Sequence, residues 1–348
     1  DAIGQLIDVG DLYNQLLYIF AEEAGKKINN VLAPTEVVSL ITKLIDGDRK
    51  NACLCDPASG SGTLLIEVGK KMGIRGTDIY GQEVNWNLYA LTKMNLMLNG
   101  FKGATFLWGD SLRSPKLLDH GGLKKFDIVV SVPPFADKWA SEEAYDDFYR
   151  RFKYGIPPKS QVTWAYISHI LASLRNDGQA VVVVPVGVLF RNTESKIREQ
   201  IIEYNLLEAV IELPSNLFHG TAISTAILVF RKERMRTQTL FVDARKGYIS
   251  NKGLYKLSDK VLEQLPNIYK KFLIGEEVGG EKNGCPVYVA TQDEIRHNKY
   301  DLKVIKYVED KIDVKEALRK IDELEERLTY IDKQFKDCAW RLRELTKE

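Results

Sequence analysis

The chain has 348 residues, 45% of them hydrophobic and 28% charged, with a formal net charge of +1. That length accommodates one large α/β domain with appendages, or two domains. A net charge this close to zero excludes a global basic field, so any grip on nucleic acid rests on local patches or on a partner. No apolar run reaches the roughly 18 residues of a membrane span, and no signal-peptide pattern opens the sequence. Four cysteines (Cys53, Cys55, Cys285, Cys338) and four scattered histidines show no metal-ligand spacing. They point to buried free thiols in a reduced, cytoplasmic, metal-free protein.

Taken in chain order, LYNQLLYIFAEEAGKK (11–26) has helical apolar spacing and a Gly-Lys-Lys exit, and NNVLAPTEVVSLITKLI starts a helix after Pro34. Residues 1–50 are therefore expected to be helices leading into a catalytic domain. From residue 52 strands and helices alternate: ACLCD, the helix of SGSGTLLIEVGKKM, IYGQEV, NWNLYALTKMNLML, ATFLWGD, FDIVVSV, WAYISHILASL, QAVVVVP, LLEAVIEL and STAILVF. This alternation predicts a doubly wound, mostly parallel, seven-stranded α/β (Rossmann-like) sheet over 51–245, closed by an antiparallel pair. LFVDARKG reads as a further strand, and 246–310 as an irregular extension. In 311–348, Val314, Ala317, Ile321, Leu324, Leu328, Ile331, Phe335, Cys338, Leu342 and Leu345 step by three and four. This is the seam of a C-terminal coiled-coil helix.

The turn DPASGSG follows a strand and opens a helix. Gly60 and Gly62 permit a sharp turn and close approach of a ligand, and there is no Gly-Lys-Ser/Thr to cradle a triphosphate. Glu83 ends the second strand, 21 residues beyond Gly62, where doubly wound nucleoside sites place a ribose-binding carboxylate. Asp110, ending the third, can accept from an adenine amino group, with Ser111 beside it. Asp56, Ala58, Ser59, Gly60, Ser61, Gly62, Glu83, Asp110 and Ser111 thus form an expected site for a phosphate-free adenosine cofactor such as S-adenosylmethionine.

The fourth strand runs into Val132-Pro133-Pro134-Phe135. Prolines fix the backbone so that carbonyls point at one spot, and an aromatic ring gives a planar amine a face to stack on. Shortly after comes RRFKYGIPPK. Its Arg150, Arg151, Lys153 and Lys159 are interleaved with Phe152 and Tyr154, an expected phosphate-contacting patch at the same sheet edge.

With these residues the chain resembles the modification (M) subunit of type I restriction-modification systems, which methylates N6 of adenine in DNA. The likeness rests on DPASGSG, IYGQEVNWNLYALTKMNLMLNG, DIVVSVPPF, RFKYGIPPKSQVTWAYISHIL, VPVGVLFR and ELPSNLFHGTAISTAILVF, and extends into FVDAR, DEIRHNKYDL and the heptad tail. VLAP precedes the Gly-rich turn, an order similar to the γ arrangement of DNA amino-methyltransferases. Protein-glutamine methyltransferases share the strand-four turn but do not predict the LPSNLFHG region or the tail. The resemblance implies S-adenosylmethionine as cofactor and DNA as substrate. It also implies a specificity (S) subunit bound through the C-terminal helix, a second M subunit, optional restriction subunits, and no membrane.

Three departures stand out. Val132 occupies the place of the family's catalytic Asn. Leu32-Ala33-Pro34 replaces the Phe/Tyr-Thr-Pro that helps cover the cofactor, and the family's N-terminal helical domain is largely missing. Valine offers neither the acceptor nor the donor of an amide. Ser131 is one position early and points to the other face of its strand. A lost contact of this kind is worth about 3–4 kcal/mol, or 10²–10³ in rate. Two readings remain: an active adenine methyltransferase subunit helped by the Pro-Pro backbone carbonyl, or an impaired one acting as cofactor-binding DNA clamp and assembly partner.

Overall fold

The computed structural model describes residues 9–23, 33–47, 49–135, 137–218, 223–251, 254–278, 280–282, 285–308, 324–325, 327–332 and 334–336. The chain divides into two compact units, Asp1–Val304 and Ile305–Glu348.

The first unit opens with helices α1 (Val9–Glu23) and α2 (Thr35–Leu44). The alternation then begins: β1 (Leu54–Asp56), α3 (Thr63–Met72), β2 (Ile79–Glu83), α4 (Trp86–Leu98) and β3 (Thr105–Trp108). It continues through β4 (Phe126–Ser131), α5 (Thr163–Ser173), β5 (Leu174–Pro185), α6 (Ser195–Glu203), β6 (Leu207–Glu212), β7 (Thr225–Arg231) and β8 (Thr239–Asp243). Helix α7 (Asp259–Ile274), β9 (Gly280–Lys282), β10 (Cys285–Ala290) and α8 (Gln292–His297) complete it.

These strands form one sheet in the order β9-β10-β8-β6-β7-β5-β4-β1-β2-β3. β3, β2, β1, β4 and β5 are parallel neighbours, while β7 runs antiparallel to both β5 and β6. The expected antiparallel closing pair is therefore present. The expected strand count is not, because the sheet has ten strands rather than seven. β8 adds in parallel to β6, and β10 and β9 extend it antiparallel. Among the described residues of 246–304, a hairpin (Tyr248–Asn251 with Leu254–Leu257), α7, β9, β10 and α8 are regular elements where an irregular extension was expected. Pro266 inside α7 and the brevity of β9 hid their pattern.

Period-two alternation sorts the sheet's side chains onto two faces. Ile128, Val130, Val181, Val183, Ile211 and Val229 join the core shared with α2, α3 and α7. Val129, Val182, Val184 and Val210 are equally buried on the alternate positions. Strands apolar on both faces are the mark of a sheet covered by helices on each side. The switch between β1 and β4, whose following helices leave in opposite directions, puts a crevice at the carboxyl ends of the central strands.

In the second unit, residues 324–325, 327–332 and 334–336 are helical, and Leu324, Leu328, Ile331 and Phe335 are 60–71% exposed. The seam positions Val314, Ala317, Ile321, Cys338, Leu342 and Leu345 lie outside the described residues, as does Leu32.

Candidate functional site

Hydrogen bonds tie the loops leaving β1, β2 and β3 into one frame. Glu83, at the end of β2, accepts from the backbone N–H of Gly60 at 2.9 Å and of Asn85 at 2.8 Å. Gly109 N–H donates to the Glu83 carbonyl at 2.9 Å, and the Ser111 hydroxyl donates to the Pro57 carbonyl at 2.6 Å. Helix α4 holds the turn from behind. Thr92 Oγ1 donates to the Gly60 carbonyl at 2.6 Å and Asn95 Nδ2 to that of Ser61 at 3.1 Å. Gly62 sits at φ +74°, and a Cβ there would lie 2.4 Å from Thr92 Cγ2, so the close α3–α4 approach requires glycine.

Asp56, Ala58, Ser59, Gly60, Glu83, Asp110 and Ser111 are therefore brought together as expected from the sequence. Ser59 bonds the Asp56 carbonyl at 2.7 Å and Ser61 the Thr63 hydroxyl at 2.9 Å, which makes both parts of the turn's own scaffold. Asp110 Oδ1 caps the next turn, accepting from Leu112 and Arg113 N–H at 2.8 and 3.2 Å. Among the described residues its Oδ2 has no such partner, and Asp110 lines an open cleft of about 600 Å³ with Val84, Leu112, Pro134, Asp137 and Tyr166. Pro34 accepts from Val38 N–H at the start of α2. Thr35 and Thr63, each one residue past Pro34 and Gly62, line a second cavity of about 350 Å³.

The electrostatics are one-sided. Burial pushes the Asp56 carboxyl up to about 7, against the lowering bonds from Ala58 N–H and Ser131, and burial also raises Glu83. The Tyr166 phenol is raised by burial and then by the charges of Asp110, Glu83, Asp137 and Asp56, and it lines the same cleft as Asp110 and Asp137. Tyr166 and Asp137 escaped notice in the sequence, since WAYISHIL looks like a uniformly buried helix. Acidic side chains beside a glycine turn, Glu83 on Gly60 and Asp110 and Asp137 in the cleft, disfavour a phosphate and suit a cationic nucleoside.

The substrate turn differs. Val132 and Phe135 are partly buried and pack on the main apolar core, as does Ala33. The ring of Phe135 meets Phe218 edge-on at 5.4 Å between centroids. Pro133 is buried and Pro134 faces the cleft. Ser131 donates to Asp56 Oδ1 at 2.8 Å and is fully buried. It is committed to the cofactor turn and cannot stand in for the absent amide.

The basic stretch splits apart. Lys159 is exposed at the cleft and pairs with Glu142 at 2.8 Å. Arg150 is exposed, with φ +50°. Lys153 lies over the rings of Tyr154 and Tyr204, the latter at the end of α6 toward the amino edge of the sheet. Arg151 does not present its charge to solvent. It is 6% exposed, and its guanidinium is spent on Asp147, Ser111, Leu112 and His169. Its neighbours supply more than enough acceptors to hold it inside, so it is removed from the expected phosphate contacts.

Comparison with known proteins follows the same geometry. The model of one protein family, described as N-6 DNA methylase, matches residues 6–316. The methylase subunit of the type I restriction enzyme MpnII from Mycoplasma pneumoniae is 31% identical over 97% of this chain and 63% of its own length. The MjaVIII methylase subunit from Methanocaldococcus jannaschii is 33% identical over 91% and 56%. This chain thus spans about three fifths of the relatives it matches. The crystal structure of a type I restriction-modification methyltransferase subunit from Streptococcus thermophilus superposes with a TM-score of 0.78 at 29% identity. The match covers 88% of this chain and 65% of that one.

Proposed function

Since the chain belongs to the N-6 DNA methylase family, we propose that it is the modification subunit of a type I restriction-modification system. In this reading it binds S-adenosylmethionine at the ends of β1–β3 and directs methyl transfer to N6 of adenine in DNA. The target sequence is chosen by a specificity subunit held through the C-terminal helix, with a second modification subunit and restriction subunits completing the assembly. The observation that carries the reading is the binding of Gly60, Glu83 and the Gly109–Ser111 turn into one frame beside Pro134.

The donor and acceptor set fits this cofactor. The Glu83 carboxylate accepts backbone N–H groups of Gly60 and Asn85, and its lone pairs leave capacity for a ribose hydroxyl. Asp110 Oδ2 is available for an adenine amine, and Val84 and Leu112 offer apolar walls for the ring. When bound, S-adenosylmethionine would supply an electrophilic methyl group on a sulfonium, whose positive charge the Glu83, Asp110 and Asp137 carboxylates would favour. On the acceptor side the Pro133-Pro134 backbone orients carbonyls toward an extruded adenine amine. Accepting its hydrogens raises the density on nitrogen before the N6 proton leaves to solvent. Lys159 and Arg150 remain as exposed cations for DNA phosphate.

A second reading is favoured by one specific observation. Val132 is packed on the core and Ser131 is bound to Asp56, so no side chain at the turn replaces the amide. A subunit of this kind binds cofactor and DNA and holds the assembly together while transferring methyl groups weakly. Labelled methyl incorporation into duplex DNA with a matched specificity subunit, run beside calorimetry with S-adenosylmethionine, separates the two. Binding with incorporation supports the first reading, and binding without it the second. Absence of binding overturns both.

A further inference from the structure

Arg151 is among the most heavily bonded side chains of the first unit. Its Nε donates to Asp147 Oδ1 at 2.9 Å. One terminal nitrogen donates to the Ser111 carbonyl at 3.1 Å and reaches His169 Nδ1 at 3.4 Å. The other donates to the Leu112 carbonyl at 2.8 Å and to Asp147 Oδ1 at 2.7 Å. All five N–H donors of the guanidinium therefore have acceptors. The Asp147 carboxylate also takes the Arg151 backbone N–H at 2.7 Å, closing the pair on itself. His169 stays neutral beside it, lowered to about 3 by burial and by the adjacent guanidinium.

This arrangement joins two stretches distant in sequence. Ser111 and Leu112 follow Asp110 on the turn leaving β3, whereas Asp147 and Arg151 sit in the long connection after the substrate turn. On the 110–114 turn the N–H groups of Leu112 and Arg113 point to Asp110 Oδ1, and Ser114 N–H bonds the Asp110 carbonyl at 2.8 Å. The carbonyls of Ser111 and Leu112 point the other way, into the guanidinium. The turn is thus held from both sides, with Asp110 among the residues that line the cleft.

We propose that Arg151, locked by Asp147, is a positioning residue for adenine recognition: it fixes the peptide planes after β3 so that the Asp110 carboxylate faces the base-binding wall. The inference rests on Asp110 as the adenine acceptor, the reading given above. Lysine cannot reproduce it, because a point ammonium cannot serve two carbonyls and a carboxylate in one plane. Without the guanidinium two buried carbonyls lose their donors, the 110–114 turn loosens, and Asp110 ceases to discriminate between a base that offers an amine and one that offers a carbonyl.

The test uses the full chain with Arg151→Lys, and with Asp147→Asn as a second variant that keeps the arginine but frees it. Hydrogen exchange without ligand should speed at amides 111–114 by at least about tenfold in both variants, while β5–β7 amides keep their protection. Unchanged exchange in the turn overturns the clamp. Calorimetry then compares S-adenosylhomocysteine with S-inosylhomocysteine, which differ at the base. The preference for the adenine form should shrink by roughly 10- to 100-fold in the variants, a ratio that general loosening of the fold leaves alone. An unchanged ratio overturns the positioning role. If the wild-type chain binds neither compound, the cofactor reading fails on its own, and the exchange experiment still decides whether Arg151 orders the turn.

Discussion

On the β1–β3 side of the sheet edge the polar groups are engaged: Gly60 N–H on Glu83, Ser111 on Pro57, and the Ser111 and Leu112 carbonyls on Arg151. On the β4 side the corresponding turn presents Val132 and Phe135, packed on the core and against Phe218. One half has a closed hydrogen-bonding frame among its loops, which the proposed function assigns to a nucleoside, while the other has a Pro-Pro-aromatic turn headed by an apolar side chain. Under the proposed function, holding a cofactor and activating an acceptor rest on separate residues and can be lost separately.

Restoring the missing group is the strongest way to break the contrast. Val132→Asn should raise methyl incorporation into duplex DNA by about 10²–10³-fold, the scale of one well-placed transition-state contact. Affinity for S-adenosylmethionine should stay within about twofold, since the substitution lies outside the Glu83 frame. The two quantities are read in one preparation by labelled transfer and calorimetry. A rate unchanged by Val132→Asn means that the backbone carbonyls already do the work, and that the valine is no defect.

Damage to the other half should have the opposite signature. Glu83→Ala leaves the N–H groups of Gly60 and Asn85 without their carboxylate and removes the ribose acceptors. The loss of charged hydrogen bonds at both ends predicts cofactor affinity lower by about 10²-fold or more. Asp110→Ala should weaken it too, and by less, because only one face of the base is served. Binding that survives both substitutions would place the nucleoside elsewhere on the sheet.

How much of this was visible in the sequence follows from what each residue needs to be recognised. Gly60, Glu83 and Asp110 lie at or just past the ends of three successive strands, and periodicity locates strand ends, so their convergence was legible. The antiparallel β6–β7 pair was legible for the same reason. Arg151 was not, because burial depends on the path of the connection after β4, and a charge run in sequence looks the same whether solvent or Asp147 receives it. Tyr166 was hidden by its apolar neighbours on α5, Trp164, Ala165, Ile167, Ile170 and Leu171, which are also buried. β9 was hidden by its three-residue length, and β10 by Pro286 near its start, which reads as a strand breaker. Local pattern gave the scaffold, and the third dimension decided which charges were inside.

The smallest effect concerns a side-chain bond that links the end of β4 to the end of β1, Ser131 to Asp56. Burial raises the Asp56 carboxyl from its ordinary 3.8 to about 7, and the Ser131 hydroxyl pulls it down. Between about pH 4 and 7 the folded protein therefore holds a proton that the unfolded chain has released, and stability falls as pH rises through that window. Ser131→Ala removes a donor to the ionised form, so the folded-state value climbs further and the window extends above 7. At pH 5 Asp56 is protonated in both folded proteins, and the substitution should cost little. By pH 8.5 the variant must ionise a less stabilised carboxyl, and the extra loss should reach roughly 1–2 kcal/mol, the scale of one hydrogen bond to a charged group. Urea unfolding of both proteins at the two pH values measures the difference directly. Equal penalties at pH 5 and 8.5 would show that Asp56 does not titrate there, and that the link between the cofactor turn and the substrate turn is purely one of packing.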